Sequence, residues 1–159
     1  MTKILFVCLG NICRSPLAEG IAKSIAKKRS FVCKIDSAGT SDFHAGEPPC
    51  KDSIKVANLH HIDITSLRAR QVIPDDAKAF DYVIAMDAQN KQTLKEMGFE
   101  DVYLLGEFGG YEGKDVPDPY FFDTFDDGIK SVYTMISECV EDFIEKAAHG
   151  SIRYNTLQD

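Results

Sequence analysis

The chain has 159 residues, a formal net charge of −7 and a sequence pI near 5.1, a balance that argues against a general nucleic-acid binder. With 44% hydrophobic and 27% charged residues, it has the make-up of one globular domain long enough to bury a core. No apolar run approaches the roughly 18–20 residues of a membrane span, and Met1-Thr2-Lys3 leads into a strand-length apolar stretch rather than a signal peptide. Five cysteines (Cys8, Cys13, Cys33, Cys50 and Cys139) form an odd set in a chain that needs no staples. A reducing compartment, by default the cytoplasm, is therefore expected.

The apolar run Ile4-Leu5-Phe6-Val7 predicts a first strand over 3–7, covered on both faces. Leu17, Ile21 and Ile25, with alanines beside them, predict a helix over 16–28, with Ser15 as its N-cap and Pro16 at its first position. A second strand is expected over 31–37, then a turn-rich loop from Gly39 to Pro49 and a helix over 49–60. An irregular stretch to Pro74 is followed by a third strand over 82–86. Asp87 then caps a helix that stops at Gly98. A fourth strand over 102–105 precedes a long Gly/Pro loop to Tyr120, long enough to suggest a function. The last helix spans 125–147, marked by Ile129, Val132, Ile136, Val140 and Phe143.

Strands alternating with helices imply βαβ units and right-handed crossovers. The expected fold is a single α/β domain over 1–149, with a four-stranded parallel twisted sheet flanked by helices on both faces (Rossmann-like or flavodoxin-like), and a polar tail over 150–159. Ligands of such sheets sit beyond the carboxyl ends of the strands, where Cys8 lies.

Between that strand and the first helix runs Cys8-Leu9-Gly10-Asn11-Ile12-Cys13-Arg14-Ser15. A strand–loop–helix start of this kind aims backbone N–H groups at one point, and the helix dipole adds positive charge there. The amides of Leu9, Gly10, Asn11, Ile12 and Cys13 are thus candidate phosphate donors, with Gly10 and Asn11 suited to positive-φ turns. Cys8 supplies a nucleophile once it is a thiolate, a form that such donors and Arg14 favour over the ordinary thiol of pKa ~8.5. Arg14 offers a planar fork to two phosphoryl oxygens. Ser15 can donate to the sulfur and help it leave. The loop is not a nucleotide P-loop, lacking Gly-Lys-Ser/Thr. Neither the dinucleotide fingerprint nor zinc-site spacing is present. No metal or other cofactor is expected.

Val7 to Pro16, V-C-L-G-N-I-C-R-S-P, resembles the signature of the low-molecular-weight protein tyrosine phosphatases. The likeness continues through Asp36-Ser37-Ala38-Gly39-Thr40, Ala69-Arg70-Gln71, Phe80-Asp81-Tyr82, Ala85-Met86-Asp87 and Val116-Pro117-Asp118-Pro119-Tyr120. It covers about residues 2–147. The resemblance implies hydrolysis of phosphotyrosine in a protein substrate through a cysteinyl-phosphate, releasing inorganic phosphate. Residue type alone leaves Asp115, Asp118, Asp123 and other loop acids open as the proton donor; the resemblance selects Asp118 as general acid and then base. It also implies that Ser37 bonds Asn11, that Phe43 and Tyr120 wall the substrate ring, and that Cys13 can form a reversible disulfide with Cys8.

The chain departs from the family pattern in places. Leu67 stands where many eukaryotic members have a histidine that supports the loop through the serine, and Phe121 replaces a second tyrosine. The arsenate reductases of this fold need relay cysteines absent here between Cys50 and Cys139. Phosphoarginine-hydrolysing relatives carry a small hydroxyl residue at Ile12, and isoleucine suits a flat phenyl ring better.

Overall fold

The computed structural model describes residues 1–119 and 126–152. Four strands, β1 (Thr2–Cys8), β2 (Cys33–Gly39), β3 (Tyr82–Ala85) and β4 (Val102–Leu104), form a sheet in the order β2-β1-β3-β4. Every pairing is parallel. Among the described residues five α-helices accompany them: α1 (Arg14–Lys28), α2 (Lys51–Leu59), the single turn α3 (Asp76–Ala79), α4 (Ala88–Glu96) and α5 (Ser131–Ala148), the last entered through a π-helical turn at Asp126–Lys130. The fold expected from the pattern is the fold observed. The expected tail beyond Ile152 lies outside the described residues.

β1 is apolar throughout because both its faces are covered. Ile4, Phe6 and Cys8 share a cluster with Leu17 and Ile21 of α1 and Val140 and Phe143 of α5. Leu5 and Val7 point the other way, into a cluster with Val83, Leu94, Phe99 and Val102. Each such side chain stabilises the fold by about 1.5–3 kcal/mol on leaving water. The Phe143 ring meets those of Phe6, Tyr82 and Phe108 edge-on, at centroid distances of 6.4, 5.4 and 5.2 Å, which fixes α5 to the sheet.

Local backbone chemistry accounts for the element ends. α1, α2 and α4 close alike: Ser30, His61 and Gly98 take positive φ. The next N–H reaches back over the last turn, Phe31 to Ala26 O at 2.9 Å, Ile62 to Ala57 O at 2.9 Å and Phe99 to Leu94 O at 3.0 Å. Phe31 is therefore spent on closing α1, and β2 starts at Cys33, two residues later than its apolar residues suggest. Asp87 caps α4 as expected, its Oδ1 accepting from the Asn90 N–H at 2.8 Å. The start of α1 differs from expectation. The helix begins at Arg14 with Cys13 as N-cap, so Ser15 lies inside the first turn and is not the cap.

β1 is central, and the chain leaves it toward β2 before crossing back to β3, so the loops after β1 and β3 diverge. The cleft between them is the switch point of the sheet. Gly39, at the end of β2, sets how closely the Cys8 loop lies on the sheet. A Cβ there would stand 2.7 Å from Leu9 O and 3.1 Å from Asn11 N, both backbone atoms that cannot rotate away. Gly39→Ala is expected to lower stability by about 1–3 kcal/mol, measured as a fall in the denaturant midpoint; an unchanged midpoint would mean that the loop can lift freely.

Candidate active site

The Cys8–Ser15 loop runs from the end of β1 into α1. Of the two residues expected in left-handed turns, Asn11 adopts one, with φ 56°, and Gly10 does not. The missing side chain of Gly10 instead makes room for the His44 ring, whose Cδ2 a Cβ would meet at 3.0 Å.

The Cys8 sulfur accepts from the Asn11 N–H at 3.3 Å and lies 3.0 Å from Ser15 Oγ. Behind it is a directed chain of hydrogen bonds. The Arg70 backbone N–H, which can only donate, lies 3.0 Å from Asn11 Oδ1, so the amide NH2 must face the other way. It gives one proton to Ser15 Oγ at 2.7 Å and one to Ser37 Oγ at 2.9 Å. Ser37 passes its own proton to Glu19 Oε1 at 2.7 Å, and Lys23 Nζ holds Glu19 Oε2 at 2.5 Å. The Ser15 hydroxyl, accepting from Asn11, keeps its own proton to donate to Cys8 Sγ when that sulfur is a thiolate. Asn11, Ser15, Ser37 and Glu19 are all buried, where misdirected donors are costly. The expected Ser37–Asn11 bond is present. The role expected of a histidine, absent here with Leu67, falls to Glu19 directly.

Arg14 is 3% exposed. Its Nη1 donates to Asp87 Oδ2 at 2.7 Å and to Val116 O at 3.0 Å, leaving Nη2 3.9 Å from Asp118 Oδ2. Burial works against the guanidinium charge, but Cys8, Asp87 and Asp118 outweigh it and hold the Arg14 pKa above its ordinary value. Asp118 is brought here by its neighbours: the Val116 N–H binds Met86 O at 2.8 Å, and Asp115 Oδ1 takes the Ala88 N–H at 2.9 Å. The long loop is thus sewn to the β3–α4 connection.

These groups surround a cavity of about 360 Å³. Cys8, Cys13, Arg14 and Asp118 line it, together with Leu9, Gly10, Ile12, Ser41, Phe43 and His44. Phe43 is 83% exposed at its rim. Tyr120, expected opposite, lies outside the described residues. Among the described residues, no three His, Cys, Asp or Glu side chains converge as a metal site would require, and no helix is long and apolar enough to cross a membrane.

Sequence reasoning missed several of these partners. Asp87 reads as a helix cap and is one, but its second oxygen serves Arg14. Glu19 and Lys23 carry no site motif; the one signal is that Glu19 sits between Ala18 and Gly20 on the apolar side of α1. His44, whose Nδ1 lies 2.7 Å from Glu47 Oε2, carried no signal beyond its place beside Phe43.

The sheet, the loop and the cavity define a parallel α/β protein with a cavity at its switch point lined by a cysteine, an arginine and an aspartate. The profile of the family described as low molecular weight phosphotyrosine protein phosphatase matches residues 3–151. The low molecular weight protein-tyrosine-phosphatase YfkJ of Bacillus subtilis is 40% identical over 141 residues, 84% of this chain and 90% of that protein. A crystal structure of a protein tyrosine phosphatase from Entamoeba histolytica superposes with a TM-score of 0.88 at 31% identity, covering 96% of this chain and 100% of that one. The Drosophila arginine phosphatase DARP superposes with a TM-score of 0.85 at 32% identity, covering 92% of this chain and 98% of that one. The chain belongs to the low molecular weight phosphotyrosine protein phosphatase family, whose members are hydrolases.

The direction of the buried chain can be tested away from the sulfur. Glu19→Gln keeps the shape but offers Ser37 an amide that can donate as well as accept. It is expected to cost about 1–3 kcal/mol, read by chemical denaturation at neutral pH. Equal midpoints would mean that the chain tolerates reversal.

Proposed function

We propose that this phosphatase hydrolyses phosphotyrosine in proteins, with Cys8 as nucleophile, Arg14 as phosphate clamp and Asp118 as general acid and base. The sulfur attacks phosphorus, forming an S–P bond as the P–O bond to the aryl oxygen breaks. Asp118 protonates that oxygen as it leaves. It then takes a proton from the water that attacks the cysteinyl-phosphate, and inorganic phosphate departs as the thiolate is restored. The amides of Leu9, Gly10, Asn11, Ile12 and Cys13, at the N-terminus of α1, are the proposed cradle for the phosphoryl oxygens. The observation that carries this reading is the convergence of the Asn11 N–H and the Ser15 hydroxyl on Cys8 Sγ, at 3.3 and 3.0 Å. Two donors at one sulfur stabilise negative charge there, both before attack and when the sulfur leaves phosphorus. Asp87 and the Val116 carbonyl hold one edge of the Arg14 guanidinium, so the other edge faces the cavity and Asp118.

The walls support an aryl ester. Ile12 and the exposed Phe43 ring at the rim give apolar contact to a flat ring, whereas relatives that act on phosphoarginine carry a small hydroxyl residue at the Ile12 position. Phe43 and Tyr120 are the proposed ring contacts, and Ser37 the support of Asn11. The catalytic unit is proposed to be residues 1–149, working in a reducing compartment such as the cytoplasm, where the thiol stays free.

Cys8→Ser is expected to abolish turnover of phenyl phosphate and phosphotyrosine peptides while still binding inorganic phosphate, measured by calorimetry; retained turnover would remove Cys8 from its role. Asp118→Asn is expected to lower kcat by about 10²–10⁴ for phenyl phosphate and much less for p-nitrophenyl phosphate, whose leaving group needs no proton. Equal losses on both esters would exclude Asp118 as the acid. Faster hydrolysis of phosphoarginine than of phosphotyrosine would overturn the substrate class.

A further inference from the structure

Cys50 has no part in the chemistry above, yet it stands directly behind the catalytic loop. It is the N-cap of α2, as Cys13 is of α1, so two helix N-termini meet at these two thiols. Their backbones are already joined: the Cys50 N–H donates to Ile12 O at 2.7 Å, and the Ser53 hydroxyl donates to Cys13 O at 2.9 Å. Ser53 Oγ also lies 3.2 Å from Cys50 Sγ. Cys13 in turn lines the same cavity as Cys8. Three reduced thiols therefore follow one another from the cavity into the α1–α2 junction.

We propose that Cys50 is a relay thiol that takes oxidation away from the nucleophile by forming a disulfide with Cys13. The proposal rests on Cys8 being the reactive thiolate of the site. A peroxide oxidises Cys8 to the sulfenic acid: sulfur loses two electrons, one peroxide oxygen bonds to it, and the other leaves as hydroxide. The Cys13 sulfur attacks Cys8 Sγ, an S–S bond forms, and the sulfenic oxygen departs as water with the Cys13 proton. The Cys50 thiolate then attacks Cys13 Sγ. The Cys13–Cys50 bond forms as the Cys8–Cys13 bond breaks, and the electron pair returns to Cys8 as a thiolate. The last step is a thiol–disulfide exchange that needs no further oxidant.

In the reduced protein, hydrogen bonding from Cys13 and from Ser53 outweighs burial and brings the Cys50 thiol down to about 6. Once Cys13 is in a disulfide its share is lost, and the Ser53 backbone N–H remains to favour the Cys50 thiolate. The start of α2 adds partial positive charge on the same side. A disulfide at this junction links two segments already joined by hydrogen bonds, and it leaves Cys8 facing the cavity.

Two measurements test the relay. In the Cys8→Ser protein, diamide is expected to give a Cys13–Cys50 disulfide, found by peptide mapping without reduction; absence of that peptide would overturn the pairing whatever Cys8 does. In the native protein, one equivalent of hydrogen peroxide is expected to leave Cys8 open to alkylation and most phosphatase activity intact, with Cys13 and Cys50 joined. Cys50→Ser and Cys50→Ala are each expected to match the native protein before oxidation, then to stop at the Cys8–Cys13 disulfide and lose activity until a reductant is added. If both variants respond to peroxide as the native protein does, the relay is wrong. Failure of the nucleophile reading is separately visible, because Cys8→Ser would then still turn over substrate.

Discussion

The Arg70 backbone decides the polarity of the buried chain of bonds. Its carbonyl accepts from the Gly39 N–H at 2.8 Å and its N–H donates to Asn11 Oδ1 at 3.0 Å, so one residue joins the end of β2 to the loop at the end of β1. The side chain anchors that residue, with the guanidinium held by Asp36 at 3.1 Å and by Asp76 at 3.0 Å. Given that orientation, the Asn11 amide serves the two serines, and the Ser15 hydroxyl keeps its proton for a thiolate at Cys8. A backbone donor cannot change sign, which makes it a firmer reference than any side chain in the chain of bonds.

A second constraint is the placing of charge in an acidic protein. The one cation on the cavity wall among the described residues, Arg14, is buried beside Asp87 and near Asp118. A buried guanidinium needs such partners, and these also orient it. On the far side, Glu19 is buried with Lys23 as its partner. Negative charge at Glu19 and donors at Cys8 thus lie at opposite ends of one bonded path through Ser37, Asn11 and Ser15.

How much of this could be read in advance follows from how local each cause is. β1, α1, α4 and the loop between β1 and α1 carry their own signals: unbroken apolar residues, helical spacing, an aspartate cap, and a cysteine and an arginine on either side of Gly-Asn. β2 was displaced by two residues because the apolar Phe31 closes α1 through a backbone bond that no periodicity announces. Ser15 looks like a cap because serine before proline usually is one; a sulfur one turn away in space claims its hydroxyl instead. Asp87, Glu19 and the Val116 carbonyl were missed as site groups because their partners lie far off along the chain. Asp118 needed the family likeness, since Asp115 beside it is an equally good loop acid by type and is in fact used to bind the Ala88 N–H.

The sequence distances inside the site have a consequence for folding. Asn11 meets Arg70 across 59 residues, Arg14 meets Asp87 across 73, and Arg14 meets Val116 across 102. Each closure carries a loop entropy that grows with the logarithm of its length, and none is rewarded until the parallel sheet between them exists. A nascent chain that has emerged only as far as β2 therefore carries the cysteine and the arginine without the groups that orient them. The partners that hold Asn11 and Arg14 in place arrive with completion of the fold rather than with synthesis of the loop.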